Sequence, residues 1–247
     1  MTIKLYLGDC LDILPTLTEQ VDAIITDLPY GTTACKWDII IPFEPMWEQV
    51  KRVLKPRGVF VTTASQPFTS LLVCSNLEWF KYEWIWDKVA TSSGFTANYQ
   101  PLRCHENICV FSSCSGIYNP QMGTGRIWSR AGTRRTAAFT GNNKVDKKCK
   151  SDTSDIKYPK TIIRLTNADK TKSLHPTQKP VALYEYLIRT YTNEGDTVLD
   201  IAAGSGTTGE AAIKTNRNCI LIEKEEKYFA IAQRRIKDAL QQPNLFT

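Results

Sequence analysis

The sequence predicts an α/β fold: a mostly parallel sheet flanked by helices and broken once by an inserted basic region. Three observations lead there. Short apolar runs alternate with amphipathic stretches over residues 1–112, the same alternation resumes over 173–247, and residues 113–172 lose periodicity and gather Gly, Ser, Thr, Asn and basic side chains. The outer segments read as two halves of one domain and the middle as an insertion.

The elements follow in chain order. KLYLGD and VDAIITD are apolar runs of strand length; FEPMWEQVKRVL spaces its apolar residues as a helix, KPRG ends it, and VFVTTA is a further buried strand. PFTSLLVCS reads as a helix, then FKYEWIWDK and NICVFSS as strands, with Trp84 and Trp86 on one buried face. After the insertion, KPVALYEYLIRTY suits a helix opened by Pro180. TVLDIA is a strand, AGSGTTGEAAIKT a glycine turn entering a helix, NCILIE a strand and KEEKYFAIAQRRIKDAL a final helix.

The chain has 247 residues, 42% hydrophobic and 23% charged, which is ordinary globular composition and argues against disorder. No apolar run reaches membrane-spanning length and MTIKLYLGDC lacks a signal-peptide pattern, so a cytoplasmic location is expected. The eight cysteines are scattered and read mostly as free thiols. Cys104, Cys109 and Cys114, with His105, invite a metal reading, but RCHENICVFSSC reads more simply as a strand and its ends. The net charge of +6 is uneven: residues 121–172 carry 13 Lys and Arg against 4 Asp. A polyanionic partner and a solvated surface loop both fit that asymmetry.

Two stretches carry chemistry. In TVLDIAAGSGTTGEAA, Gly204 and Gly206 make a tight turn between strand and helix, where a ligand can approach backbone and helix N-terminus. Such turns also serve packing, but the next strand ends in Glu223, a carboxylate placed to accept from ribose hydroxyls. GSGTTG departs from the dinucleotide fingerprint, which disfavours NAD. The second stretch, DLPYGTTACKWD, ends the VDAIIT strand on Asp27 and Tyr30, neither of which turn formation requires.

With these residues in view, the chain resembles the S-adenosylmethionine-dependent DNA amino-methyltransferases of β-type motif order. DLPY at 27–30 matches the family's [DNS]-[PL]-P-[YFW] catalytic motif, and HPTQKP at 175–180 and VLDIAAGSGTTG at 198–209 match its cofactor motifs, in the family's order. LGDC at 7–10 and ILIEKEEKY at 220–228 add two more, so the likeness covers nearly everything outside the insertion. It implies a Rossmann-like methyltransferase fold, with S-adenosylmethionine as cofactor and double-stranded DNA as partner.

The resemblance also assigns roles. The target base is flipped and stacked on Tyr30, while the Asp27 carboxylate and the Leu28 carbonyl accept the two amino N–H groups and Pro29 holds the turn. Asp9 would meet the cofactor's adenine, Glu223 its ribose, and His175 and Lys179 its methionine end, with Asp200, Gly204, Ser205, Gly206 and Thr207 around that end and Thr177 also at the cofactor. No metal is required, because a methyl sulfonium is already activated. Taken singly, Asp9 and Asp200 also fit as helix caps and Lys179 as a solvated first-turn lysine. Ile201 and Ala202 stand where the family usually has an aromatic, and Leu221 where it usually has glycine; neither removes a polar ligand.

In the basic segment, Arg126, Arg130, Arg134, Arg135, Lys144, Lys147 and Lys148 suit phosphates and, for some arginines, guanine edges. Trp128 and Phe139 fit a small core better than a wedge between bases. The expectation is therefore a site-specific methyltransferase acting on the N6 amine of adenine. Asp at position 27 favours adenine over cytosine N4, whose enzymes more often begin this motif with Ser. An RNA or protein-glutamine methyltransferase and a non-catalytic DNA-binding module are the rivals. Enzymes of this type also pair as homodimers, and no periodicity here marks an interface.

Overall fold

The structure is a computed structural model and describes residues 1–35, 37–92, 94–124, 155–166 and 178–241. Its strands are β1 (Ile3–Leu7), β2 (Val21–Thr26), β3 (Leu54–Ala64), β4 (Phe80–Ser92), β5 (Arg103–Phe111), β6 (Gly123–Thr124), β7 (Ile156–Lys157), β8 (Ile162–Arg164), β9 (Thr197–Asp200) and β10 (Asn218–Glu223). Eight of them form one sheet in the order β1-β10-β9-β2-β3-β5-β4-β8. From β1 to β3 the neighbours are parallel; β5 is antiparallel to both β3 and β4, and β8 lies parallel to β4.

Strand alternation builds two cores. Ala23, Ile25, Val59, Val61, Trp84 and Trp86 point to one face, and Ile24, Phe60, Cys109 and Phe111 to the other. The first face is covered by α4 (Val181–Tyr191), α5 (Thr207–Lys214) and α6 (Glu226–Gln241), through residues such as Leu183, Leu187, Ala211 and Ile236. The second receives α1 (Cys10–Ile13), α2 (Phe43–Val53) and α3 (Phe68–Ser75). Along α2, Met46, Trp47, Val50 and Val53 are buried, the spacing expected of one helix face. Trp84 and Trp86 share a buried face as read from the sequence, and their indole N–H groups donate to the Tyr191 hydroxyl (2.7 Å) and the Leu165 carbonyl (2.9 Å).

Two boundaries differ from the sequence reading. KPRG lies inside β3, which starts directly after α2, and the β2–β3 register jumps from Val21↔Leu54 to Ala23↔Val59 around it. Pro56 and Gly58 interrupt pairing without ending the strand, as in a bulge. Ile162–Arg164, placed in the insertion by periodicity alone, pairs with Ile85–Asp87 at the sheet edge. Three residues carry too short a pattern to read as a strand. The chain divides into a large unit, 1–119 with 161–247, and a small one, 120–160, whose described part includes the two-residue β6–β7 ladder.

All seven described cysteines are free, and Cys104 and Cys109 lie along β5, as the strand reading expected. No helix among the described residues is long and apolar enough to cross a membrane.

Candidate active site

Between β2 and β9 the chain order reverses: β2 leads outward to β3, and β9 leads the other way to β10. Loops leaving the carboxyl ends of such strands diverge and open a crevice. Here the crevice is a cavity of about 610 Å³ lined by Asp9, Asp27, Tyr30, Lys179, Asp200 and Glu223, all from the large unit. Leu28, Pro29, Gly204, Ser205 and Thr207 also line it.

Asp27 follows the last residue of β2. Its Oδ1 accepts from the Tyr30 hydroxyl at 2.8 Å and from the Thr63 hydroxyl, and its Oδ2 accepts from Lys179 Nζ at 2.6 Å. The turn is held from within: the buried Asp38 carboxylate accepts from the backbone N–H groups of Gly31 (2.9 Å), Thr32 (2.9 Å) and Thr33 (2.7 Å). Gly31 takes φ +67°, which a side chain would resist. Burial acts to raise the Asp38 carboxyl, but the hydrogen bonds it accepts hold it below the usual range. Leu28 turns its side chain into the core, at 3% exposure. The Tyr30 ring stacks on Phe68, with centroids 5.2 Å apart and planes at 25°, and Lys179 Nζ lies 5.5 Å from its centroid. Burial first, then the charges of Asp27 and Glu106, push the Tyr30 phenol well above its ordinary value, so it stays a donor.

Lys179 is buried, at 8% exposure, and is no solvated first-turn lysine. Its ammonium reaches Asp27 and lies 3.5 Å from Glu106 Oε2, while Lys88 Nζ sits 2.6 Å from Glu106 Oε1. Burial opposes the charge on Lys179, yet the two carboxylates outweigh it and raise its pKa. The family resemblance assigns this lysine to the cofactor's methionine end; in the structure its ammonium pairs with Asp27. His175 and Thr177, from the same motif, lie outside the described residues, as do Arg126, Trp128, Arg130, Arg134, Arg135, Phe139, Lys144, Lys147 and Lys148.

The other half of the site grows from β9 and β10. Asp200 Oδ1 accepts from the Thr26 hydroxyl at 2.7 Å and from Ala202 N at 3.1 Å, and its Oδ2 from the Thr208 hydroxyl, tying β9 to β2 and to α5. Glu223 accepts from Gly204 N (2.6 Å) and Glu225 N (2.8 Å). Gly204 (φ +52°) and Gly206 (φ +80°) make the left-handed turn into α5; a Cβ on Gly204 would meet nothing within 4 Å, so open space adjoins the backbone there. Arg235 of α6 braces the turn, donating to the Ser205 carbonyl at 2.7 Å and the Ser205 hydroxyl at 2.9 Å while pairing with Glu210 at 2.7 Å. Leu221 packs beside Gly209, whose added Cβ would lie 2.7 Å from Leu221 Cδ1, so the small residue on the helix makes room for the large one on the strand. Asp9 caps α1 through Leu11 N at 2.9 Å and pairs with Lys224 at 3.0 Å, while its side chain lines the cavity.

Burial is the main force on Asp200, pushing its carboxyl up to about 6 against the hydrogen bonds from Thr208 and Thr26. A carboxyl whose folded pKa is raised stabilises most below its unfolded value, and that contribution is lost as pH rises through the folded value. Asp200→Asn lacks this titration. Its unfolding free energy should therefore gain on wild type by up to about 3 kcal/mol, mostly between about pH 4 and pH 6. Denaturant titrations across that range check this, and a pH-independent difference would refute it.

The N6/N4 methyltransferase family model, described as DNA methylase, matches residues 21–234. The chain belongs to this DNA methylase family. The resemblance read from the five motifs is thereby borne out. The Type II methyltransferase M.HpaI of Haemophilus parainfluenzae is 28% identical over 257 residues, spanning 96% of this chain and 74% of that protein. The DNA adenine methyltransferase YhdJ of Escherichia coli strain K12 is 30% identical over 247 residues, spanning 93% and 81%. The methylase fold is equally clear. An M1.HpyAVI–SAM complex superposes with a TM-score of 0.65 at 24% identity, covering 95% of this chain and 100% of that one. The cytosine-N4-specific PvuII DNA methyltransferase superposes with a TM-score of 0.67 at 17% identity, covering 100% and 89%.

Glu106, Lys88, Thr63, Phe68, Asp38 and Arg235 were not singled out from the sequence. Asp38 alone left a signal, as an acid seven residues beyond a glycine turn rich in unpaired N–H groups.

Proposed function

We propose that this methylase transfers a methyl group from S-adenosylmethionine to the exocyclic N6 amine of an adenine flipped out of duplex DNA, in the cytoplasm. The observation that carries the reading is Asp27 beside the Tyr30 ring in the same cavity as Glu223 and the Gly204 turn. The open cradle at Gly204, with carboxylates of Asp9 and Glu223 near it, fits a nucleoside cofactor bearing amino and hydroxyl donors. When bound, S-adenosylmethionine supplies a methyl group already activated on sulfonium.

The chain's own residues do the rest. Tyr30, backed by Phe68, offers a rigid stacking face at the cavity. The Asp27 carboxylate accepts an amino N–H, orients the nitrogen lone pair, and stabilises positive charge developing there. The Leu28 carbonyl accepts the second N–H. Asp9, Asp200, Ser205, Gly206 and Thr207, with His175 and Thr177, complete the cofactor site, while Lys179 serves Asp27 at the catalytic end. The basic segment, 113–172 by composition, serves as the target-recognition region, with Arg126, Arg130, Arg134, Arg135, Lys144, Lys147 and Lys148 on phosphates and base edges.

The test is incubation with labelled S-adenosylmethionine and unmethylated duplex DNA, followed by digestion and identification of the labelled nucleoside. N6-methyladenine is expected; N4-methylcytosine would keep the mechanism and change the base, and label confined to RNA or protein would overturn the reading. Base–aromatic stacking contributes about 1–3 kcal/mol, so Tyr30→Ala should weaken productive DNA engagement by about 5- to 150-fold, read as kcat/KM for DNA.

A further inference from the structure

We propose that Glu106 is a positioning residue that draws Lys179 off Asp27 when the substrate amine engages that carboxylate. The inference rests on the methyl-transfer reading above. It starts from how fully Asp27 is occupied. Oδ1 takes two hydroxyl donors, Tyr30 and Thr63, and Oδ2 takes the Lys179 ammonium at 2.6 Å. An ammonium held there withdraws charge from the oxygen that an amine N–H would use and occupies the space beside it.

Glu106 provides the alternative. Its Oε1 accepts from Lys88 Nζ at 2.6 Å, but its Oε2 is buried and has no hydrogen-bond donor among the described residues. A buried anionic oxygen left without a donor is costly. Lys179 Nζ lies 3.5 Å away, and a shift on the order of 1 Å brings it into hydrogen-bond range. One cation thus has two docking points, one filled and one waiting.

Charge and mechanics both allow the exchange. Lys88 and Lys179 balance Asp27 and Glu106, so the shift buries no new charge. Glu106 sits in β5 opposite Trp86 of β4, a rigid mount, whereas the lysine stem is flexible; the ammonium is therefore the part that moves. The charges of Lys179 and Lys88 overcome burial and keep the Glu106 carboxyl ionised and receptive.

The test measures single-turnover methyl transfer to unmethylated genomic duplex DNA by wild type, Glu106→Gln, Lys179→Met and the double variant. Melting temperatures and calorimetric affinities for S-adenosylmethionine are taken in parallel. Glu106→Gln should slow transfer by about 10- to 100-fold, with cofactor affinity held within about threefold, and Glu106→Asp should recover part of the rate. The double variant should be no slower than Lys179→Met, because Glu106 acts through that lysine. A Glu106→Gln rate within about threefold of wild type, or losses that multiply in the double variant, would overturn the proposal. Should Glu106→Gln fail to fold, a crystal structure of wild type with S-adenosylhomocysteine and duplex DNA decides. Lys179 on Glu106 supports the exchange, and Lys179 still on Asp27 with a base in place overturns it. Wild type that labels no DNA removes the parent reading, an outcome distinct from wild type and Glu106→Gln labelling it equally fast.

Discussion

Asp27→Asn is expected to lower the single-turnover rate of methyl transfer by about 10²- to 10³-fold, the usual loss when one preorganised polar contact to developing charge is removed. The amide keeps the shape of the carboxylate, and its oxygen can still accept from Tyr30 and Thr63, which bond Asp27 now. It loses the negative charge and presents an NH₂ group where Oδ2 accepted from Lys179. Folding should survive, because Lys179 retains Glu106 as a counter-ion 3.5 Å away and a buried ammonium with one anion is far better off than one with none. Cofactor affinity should change by less than about threefold, since Asp27 acts on the amine in this reading. Rapid-quench transfer assays with calorimetric cofactor titration separate the two effects. A variant that transfers methyl groups at close to the wild-type rate would remove Asp27 from the mechanism.

Gly206→Ala should cost stability twice over, through backbone strain and through a clash with α6. At φ +80° any side chain is strained, by about 1–2 kcal/mol. The new Cβ would also stand 2.9 Å from Ala232 Cβ and 3.0 Å from Ala232 Cα, fixed atoms of α6 that cannot rotate away. Overpacking of this kind adds about 1–3 kcal/mol, for a total of about 2–5 kcal/mol. Gly195→Ala isolates the first term: its φ is +83° and a Cβ there meets nothing within 4 Å. Chemical denaturation of both variants should show Gly206→Ala the more destabilised by about 1–3 kcal/mol. Equal losses would mean that α6 yields freely at the turn. Because Arg235 also fixes this turn to α6, Gly206→Ala should weaken cofactor binding as well, whereas Gly195→Ala should not.

The candidate site was legible wherever its chemistry is local in the chain. DLPY closes a turn within four residues, and GSG places two left-handed glycines at a strand-to-helix junction; each leaves a pattern because neighbours in sequence are neighbours in space. The sheet was legible for the same reason, since apolar runs such as VDAIIT mark strands buried on both faces. Legibility failed for β8, whose three residues form a strand only because β4 offers an edge to pair with.

By itself, then, the sequence determined the element types, the motif order and the residues most of the site is made from. Only the tertiary structure decided who meets whom. Thr26 bonds Asp200 across 174 residues, and Lys179 bonds Asp27 across 152. A lysine in the HPTQKP motif reads as a cation in search of an anion, and the sequence offers several. Burial makes an anion obligatory, and the packing of α4, which begins just after Lys179, against β2 selects Asp27, with Glu106 of β5 as the second. That selection depends on distance in the folded sheet, which no local pattern encodes.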